Sequence, residues 1–306
     1  MKKIILLTFF SVFLFSCKKE QKLEAGLTFD SDSIAQVVLD IPQGGKDIGL
    51  WSGVFQADSI NYENKGDFSY RNRISVVITN VNNDKVEGYS VSAGNLRPFL
   101  GDILPSENSK YIIAKEPGDH KYDGIFKFNI SENGDSIYGQ WFSNRNDLPV
   151  ISRSFSLKKV NFEYNPNNIL VKPKSGEDEM YDYNVDWVNT QKRKINELGG
   201  EEYFYEVQRI ATDAIYKING STKKLSEKEL KNLRKLDLEI IRNSIYARHG
   251  YSFANRGARQ FFDNVDWYIP LYTNVEDKLT ETEKENIALL KRFEKYATDN
   301  YSQFGR

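Results

Sequence analysis

Between residues 73 and 160 the apolar side chains recur at every second position, a period that dictates extended strands with one buried face. Ile74, Val76 and Ile78 share a face of Arg73–Thr79, and Val86–Ser92 follows across the turn signal Asn82-Asn83-Asp84. Tyr122–Ile130 and Ser136–Phe142 flank Glu132-Asn133-Gly134-Asp135, the clearest hairpin in the chain. Ser154–Val160 closes the region. About eight or nine strands with short turns, and no helix between them, read as an antiparallel meander over residues 33–162. Gly53, Gly88, Gly124 and Gly139 fall inside the strands, where a missing side chain lets a sheet coil tightly. A closed barrel is the expected form, with a β-sandwich as the alternative.

Gly49-Leu50-Trp51 keeps the glycine-to-tryptophan spacing of the lipocalin opening motif, and with the strand glycines the region resembles a lipocalin-type barrel. A small closed barrel is either filled by its own side chains or holds one apolar ligand. Tyr89, Phe99, Phe126, Phe128, Tyr138, Trp141 and Phe142 are the expected core aromatics. Ser92–Gly101, with Arg97 and Phe99 among glycines, reads as a turn; lining the barrel mouth is its other reading.

The 42 Lys and Arg nearly balance 43 Asp and Glu, so the chain lacks the basic surplus of a nucleic-acid partner. One cysteine and two histidines exclude a disulfide framework and Cys- or His-rich metal sites. No cofactor and no metal are expected, with calcium on loop oxygens left open. The cysteine is Cys17. Met1-Lys2-Lys3 precedes an apolar run, Ile4 to Phe15, too short to span a bilayer comfortably. Leu14-Phe15-Ser16-Cys17 resembles the lipobox of bacterial lipoproteins. The resemblance implies a signal peptide over 1–16, lipidation of Cys17 and a polar tether over 17–32. The implied partner is a membrane held through acyl chains. No acidic residue directly follows Cys17, so an outer membrane is the expected location, with either face open.

Pro, Asn, Gly and clustered acids over 163–200 mark a linker, with Gly199-Gly200 as its last break. Phe204, Val207, Ala211, Ala214 and Ile218 recur at helical spacing and predict an amphipathic helix opening a helical region, 201–306. Ser226–Glu229 and Thr280–Glu283 are capping boxes. Leu238, Ile241 and Ile245 share a face of a helix that Gly250 ends. The run Tyr246-Ala247-Arg248-His249-Gly250 follows Arg242-Asn243. Gln260-Phe261-Phe262, Asp266-Trp267-Tyr268-Ile269-Pro270 and Leu279-Thr280 come after it. Together they resemble the YARHG domain, over about residues 225–297. The resemblance implies a small helical module on exported bacterial proteins, and no established chemistry. The expected fold class is α+β, a barrel-like meander followed by a small all-α domain.

Arg242, Tyr246 and His249 share a helix face by their spacing. In one reading they form a binding site, with Arg248 for an anion, His249 as donor or switch, and Trp267 and Tyr268 as a flat surface for a sugar or peptide. In the other, preferred reading they form a polar clasp, because Arg and His near a helix C-terminus bond its last carbonyls. No G-x-S-x-G elbow surrounds a serine, and a triad would have to use His120 or His249. Asp263 and Asp266 beside Trp267 are the remaining carboxylate pair. The chain therefore reads as a non-catalytic, lipid-anchored envelope protein that contacts a cell-wall polymer or an envelope protein. A carrier of a small apolar ligand and a glycan hydrolase are the alternatives.

Overall fold

The computed structural model describes residues 42–299 apart from 43, 65, 106–109, 173–184 and 199–200. The expected signal peptide, Cys17 and the tether lie outside the described residues.

Eight antiparallel strands follow one another into a closed barrel: β1 (Gly49–Ile60), β2 (Arg71–Asn82), β3 (Lys85–Ser92), β4 (Asn95–Pro105), β5 (Lys110–Lys115), β6 (Gly124–Ile130), β7 (Ser136–Ser143) and β8 (Val150–Val160). Each strand pairs with the next, and β1 also pairs along β8, from Leu50 opposite Val160 to Ile60 opposite Val150. One continuous ladder therefore leaves no edge, which replaces the β-sandwich alternative. The turn expected over Ser92–Gly101 contracts to Ala93-Gly94, with φ of 51° and 79°, a left-handed pair suited to a two-residue hairpin. The residues after it form β4.

Trp51, Ile74, Val76, Ile78, Phe99, Phe126, Phe128, Trp141, Phe155 and Leu157 belong to one buried interior cluster. A barrel this narrow places a small residue opposite each large one. Gly88 faces Phe99, and Gly139 lies between Phe128 and Phe155. A Cβ on Gly139 would overlap the Lys127 carbonyl and Phe128. Three expected core aromatics lie elsewhere. Tyr138 is exposed and Phe142 half-buried, because Ile137 and Trp141 take the inward phase of β7. Tyr89 points outward and is buried with Leu50, Val77 and Val91 beneath Leu271. That contact seats the C-terminal region on the barrel's outer wall. The Gly94 amide, donating to Ser252 Oγ at 3.0 Å, adds a second attachment.

The segment read as linker and first helix is instead a separate hairpin, β9 (Val185–Leu198) with β10 (Glu201–Ile210). The linker boundary at 200 and the helix over 201–218 are both corrected. Phe204-Tyr205, Val207 and Ile210 favour extended backbone, and pairing with β9 satisfies its hydrogen bonds. Phe204 and Ile210 are exposed, so the helical spacing has no buried stripe behind it. A 3-10 turn over Asp213–Tyr216 then leads to four helices: α1 (Glu227–Leu230), α2 (Lys235–Arg248), α3 (Arg256–Phe262) and α4 (Glu281–Glu294). Central α2 is apolar on two sides. Leu236, Ile240 and Ala247 pack with Phe253, Phe261 and Tyr268, while Leu238, Ile241 and Ile245 pack with Ile287 and Leu290 of α4. Both capping boxes form, at Ser226 and Thr280.

Gly139→Ala is expected to lower the unfolding free energy by about 1–3 kcal/mol through overpacking. Urea denaturation would measure it, and an unchanged midpoint would show that the barrel can widen there.

Candidate functional site

Helix α2 ends inside the sequence motif because Gly250 adopts a φ of 77°, where a side chain would be strained. Arg248, at the last turn, is only 3% exposed. Its Nε donates to the Asn168 carbonyl at 2.7 Å and its Nη1 to Ser221 Oγ at 3.2 Å. Burial pulls the guanidinium down to about 10. The Trp267 ring lies 5.9 Å from it, and Trp267 Nε1 donates to the Ile169 carbonyl at 2.8 Å. His249 Nε2 lies 2.8 Å from Glu283 Oε2, and its ring stacks on Tyr164 at 4.2 Å. The Tyr164 hydroxyl donates to the other Glu283 oxygen at 3.0 Å. Tyr268 is a core residue whose hydroxyl donates to the Tyr251 carbonyl at 2.8 Å. Arg248, His249 and Trp267 thus hold the segment that leaves β8, through Tyr164, Asn168 and Ile169.

Glu283 joins these pieces. It is fully buried, and it is also the capping-box acid of α4, accepting from the Thr280 amide at 3.0 Å. Burial pushes its carboxyl up, but bonds from His249, Ser221 and the Thr280 amide outweigh that and hold it down to about 2.

Arg242 and Tyr246 face elsewhere. They line an open groove of about 940 Å³ between the β9–β10 hairpin, α2, α3 and residues 273–276. Its cations are internally neutralised. Arg242 forms a two-point pair with Glu294 at 2.6 and 3.2 Å. Arg209 meets Asp299, Glu239 and Asp186 at 2.7, 2.8 and 3.3 Å. The rings of Tyr246 and Tyr251 lie 5.8 Å apart along the groove. Asn255 and Asn274 each engage a local backbone amide through Oδ1, and Asn243 takes Arg242 Nη1 in the same way. Their Nδ2 donors have no protein partner among the described residues. Glu276 adds an exposed carboxylate outside any ion pair among the described residues, so the groove carries no free cation, is aromatic and is rich in free amide donors.

The two carboxylates singled out beside Trp267 sit in unlike surroundings. Asp263 is buried, its carboxyl pushed up to about 7, while Asp266 is exposed. His120 lies in the loop after β5, remote in sequence from any nucleophile signature, and accepts from the Tyr122 amide at 3.4 Å. Sequence reasoning saw Glu283 only as a cap, because its partner His249 is 34 residues away. It missed Tyr164 and Asn168, which fell in presumed linker, and Arg209, which fell in a presumed helix.

Residues 214–295 match the family model of the YARHG domain. That match begins earlier than the sequence reading placed it and takes in all but the first residue of the 3-10 turn. Among curated proteins no match was found.

A carboxylate held at about 2 in the fold, against 4.5 ordinarily, stabilises fully above pH 4.5 and progressively less as pH falls toward 2. Glu283 should contribute about 3 kcal/mol in this way. Urea unfolding of the wild type and Glu283→Gln should therefore diverge above pH 4.5 and converge in acid. Parallel curves would remove Glu283 from this role. His249→Ala should lower the melting temperature as well, having removed a bond to the same carboxylate.

Proposed function

We propose that this chain is an exported, lipid-anchored envelope protein that acts by binding rather than catalysis. Its contact surface is the groove along α2. The observation that carries this reading is the groove's chemistry. Its two arginines are paired within the protein, two tyrosine rings tilted to each other line one wall, and amide donors point to no protein partner. Amide-rich and aromatic surfaces suit hydroxyl and carbonyl oxygens, as presented by a cell-wall glycan or its peptides. An envelope protein offering the same groups is the second candidate partner.

The lipid anchor rests on the lipobox resemblance at Leu14–Cys17. Among the described residues no helix is long and apolar enough to cross a membrane. Binding is favoured over glycan hydrolysis because Asp263 is enclosed and Asp266 lies in solvent, rather than flanking a common cleft. An apolar carrier is disfavoured because aromatic and aliphatic side chains occupy most of the barrel interior.

Soluble residues 18–306 should co-sediment with purified sacculi. Thr273→Trp, an exposed position on the groove rim, should abolish sedimentation without shifting the melting temperature. Retained sedimentation in that variant would move the contact surface elsewhere. In cell fractionation, Cys17→Ala should release the protein from membranes, and full retention would overturn the anchor.

A further inference from the structure

The inward positions of the barrel change character at its upper end, where β1 finishes and β2 begins. On β2 the row Ile78, Val76, Ile74 continues to Asn72, and on β8 the row Leu157, Phe155 continues to Arg153. A polar layer thus replaces the apolar one without any change of phase. Within it lies a cavity of about 320 Å³, at the small end of the range in which proteins enclose small ligands. Phe55, Phe126 and Trp141 form its aromatic floor, and Ala254 and Arg259 of the C-terminal region border it.

Arg153 is 8% exposed. It donates to the carbonyls of Ser69, Phe55 and Tyr70 at 2.9, 3.2 and 3.5 Å, all neutral acceptors. Arg259 converges on the same Ser69, its Nη2 3.4 Å from Oγ, and bonds the carbonyls of Phe253 and Ala254. Its buried Nε has no partner, and neither has the buried Oδ1 of Asn72. Among the described residues neither guanidinium belongs to an ion pair.

The other charges around the cavity are already committed. Arg97 pairs with Asp123 at 2.7 Å and with Asp119, and Asp67 pairs with Arg256. Glu116 accepts from Gly124 N, Trp141 Nε1 and Ser90 Oγ at 2.7, 3.1 and 3.2 Å, and burial pushes its carboxyl up to about 7. Asp263, one turn beyond Arg259, is enclosed within the protein with one carboxylate oxygen unpartnered, and its charge favours the Arg259 cation. Arg153 is thus a buried cation with no counter-ion beside it, which is costly. A guanidinium fork matches a carboxylate, and an aromatic floor matches an apolar body.

We propose that the upper barrel cavity binds a small organic carboxylate, its head between Arg153 and Arg259 and its apolar body on Phe55, Phe126 and Trp141. This site is separate from the groove and does not depend on the role proposed there.

Calorimetric titration of soluble residues 18–306 with octanoate, octan-1-ol and acetate tests it. Octanoate should bind, with octan-1-ol and acetate each at least ~10-fold weaker, because one lacks the charge and the other the body. Arg259→Met, a half-exposed position, should cut octanoate affinity ~10-fold or more at unchanged melting temperature. It should leave octan-1-ol unaffected. Arg153→Met should act in the same direction if it folds, and Thr273→Trp should leave octanoate binding intact. Absent octanoate binding, equal binding of the alcohol, or indifference to Arg259→Met would overturn the proposal and leave both arginines as structural ties to Ser69.

Discussion

Closing β1 against β8 joins the eight strands into one ladder, and much of the architecture follows from that closure. With no edge to spare, the barrel cannot widen to suit its contents, so side-chain volume must be matched strand by strand. Gly88 under Phe99 and Gly139 between Phe128 and Phe155 are the visible result. Closure also fixes which side chains face out. Leu50, Val77, Tyr89 and Val91 then form an apolar patch that needs a cover, and Leu271 supplies it.

The C-terminal region is organised around α2, apolar on two flanks and polar at its end. The motif residues there divide their work. Arg248, His249 and Trp267 hold the chain that emerges from the barrel, while Arg242 and Tyr246 belong to the groove. A buried carboxylate, Glu283, completes a helix cap and receives two distant side chains at once. Such a group is tolerable in a low-dielectric interior only because every strong acceptor position is filled.

Strand periodicity made the barrel legible. Its hairpins at Asn82–Asp84 and Glu132–Asp135 lie where the turn residues placed them. Val76-Val77 carried a further message, since adjacent apolar residues in an alternating strand mean that both faces are covered. The hairpin at 185–210 was misread because Phe204 and Val207 of its second strand run on at helical spacing into Ala211, Ala214 and Ile218, and only strand pairing settles the matter. The helical end was legible through its caps and glycine, which are local signals. The division of Arg242 and Tyr246 from His249 was not, because it depends on partners 34 to 80 residues distant. Arg153 and Asn72 did leave a trace, as polar residues in the inward phase of otherwise apolar rows.

Helix α3 is only seven residues long, yet it borders two spaces. Gly257, Ala258, Phe261 and Phe262 face the groove, and Arg259 faces the barrel cavity. A partition this thin has no layer behind it to absorb displacement. The walls of both compartments thus rest on the seven residues of one short helix.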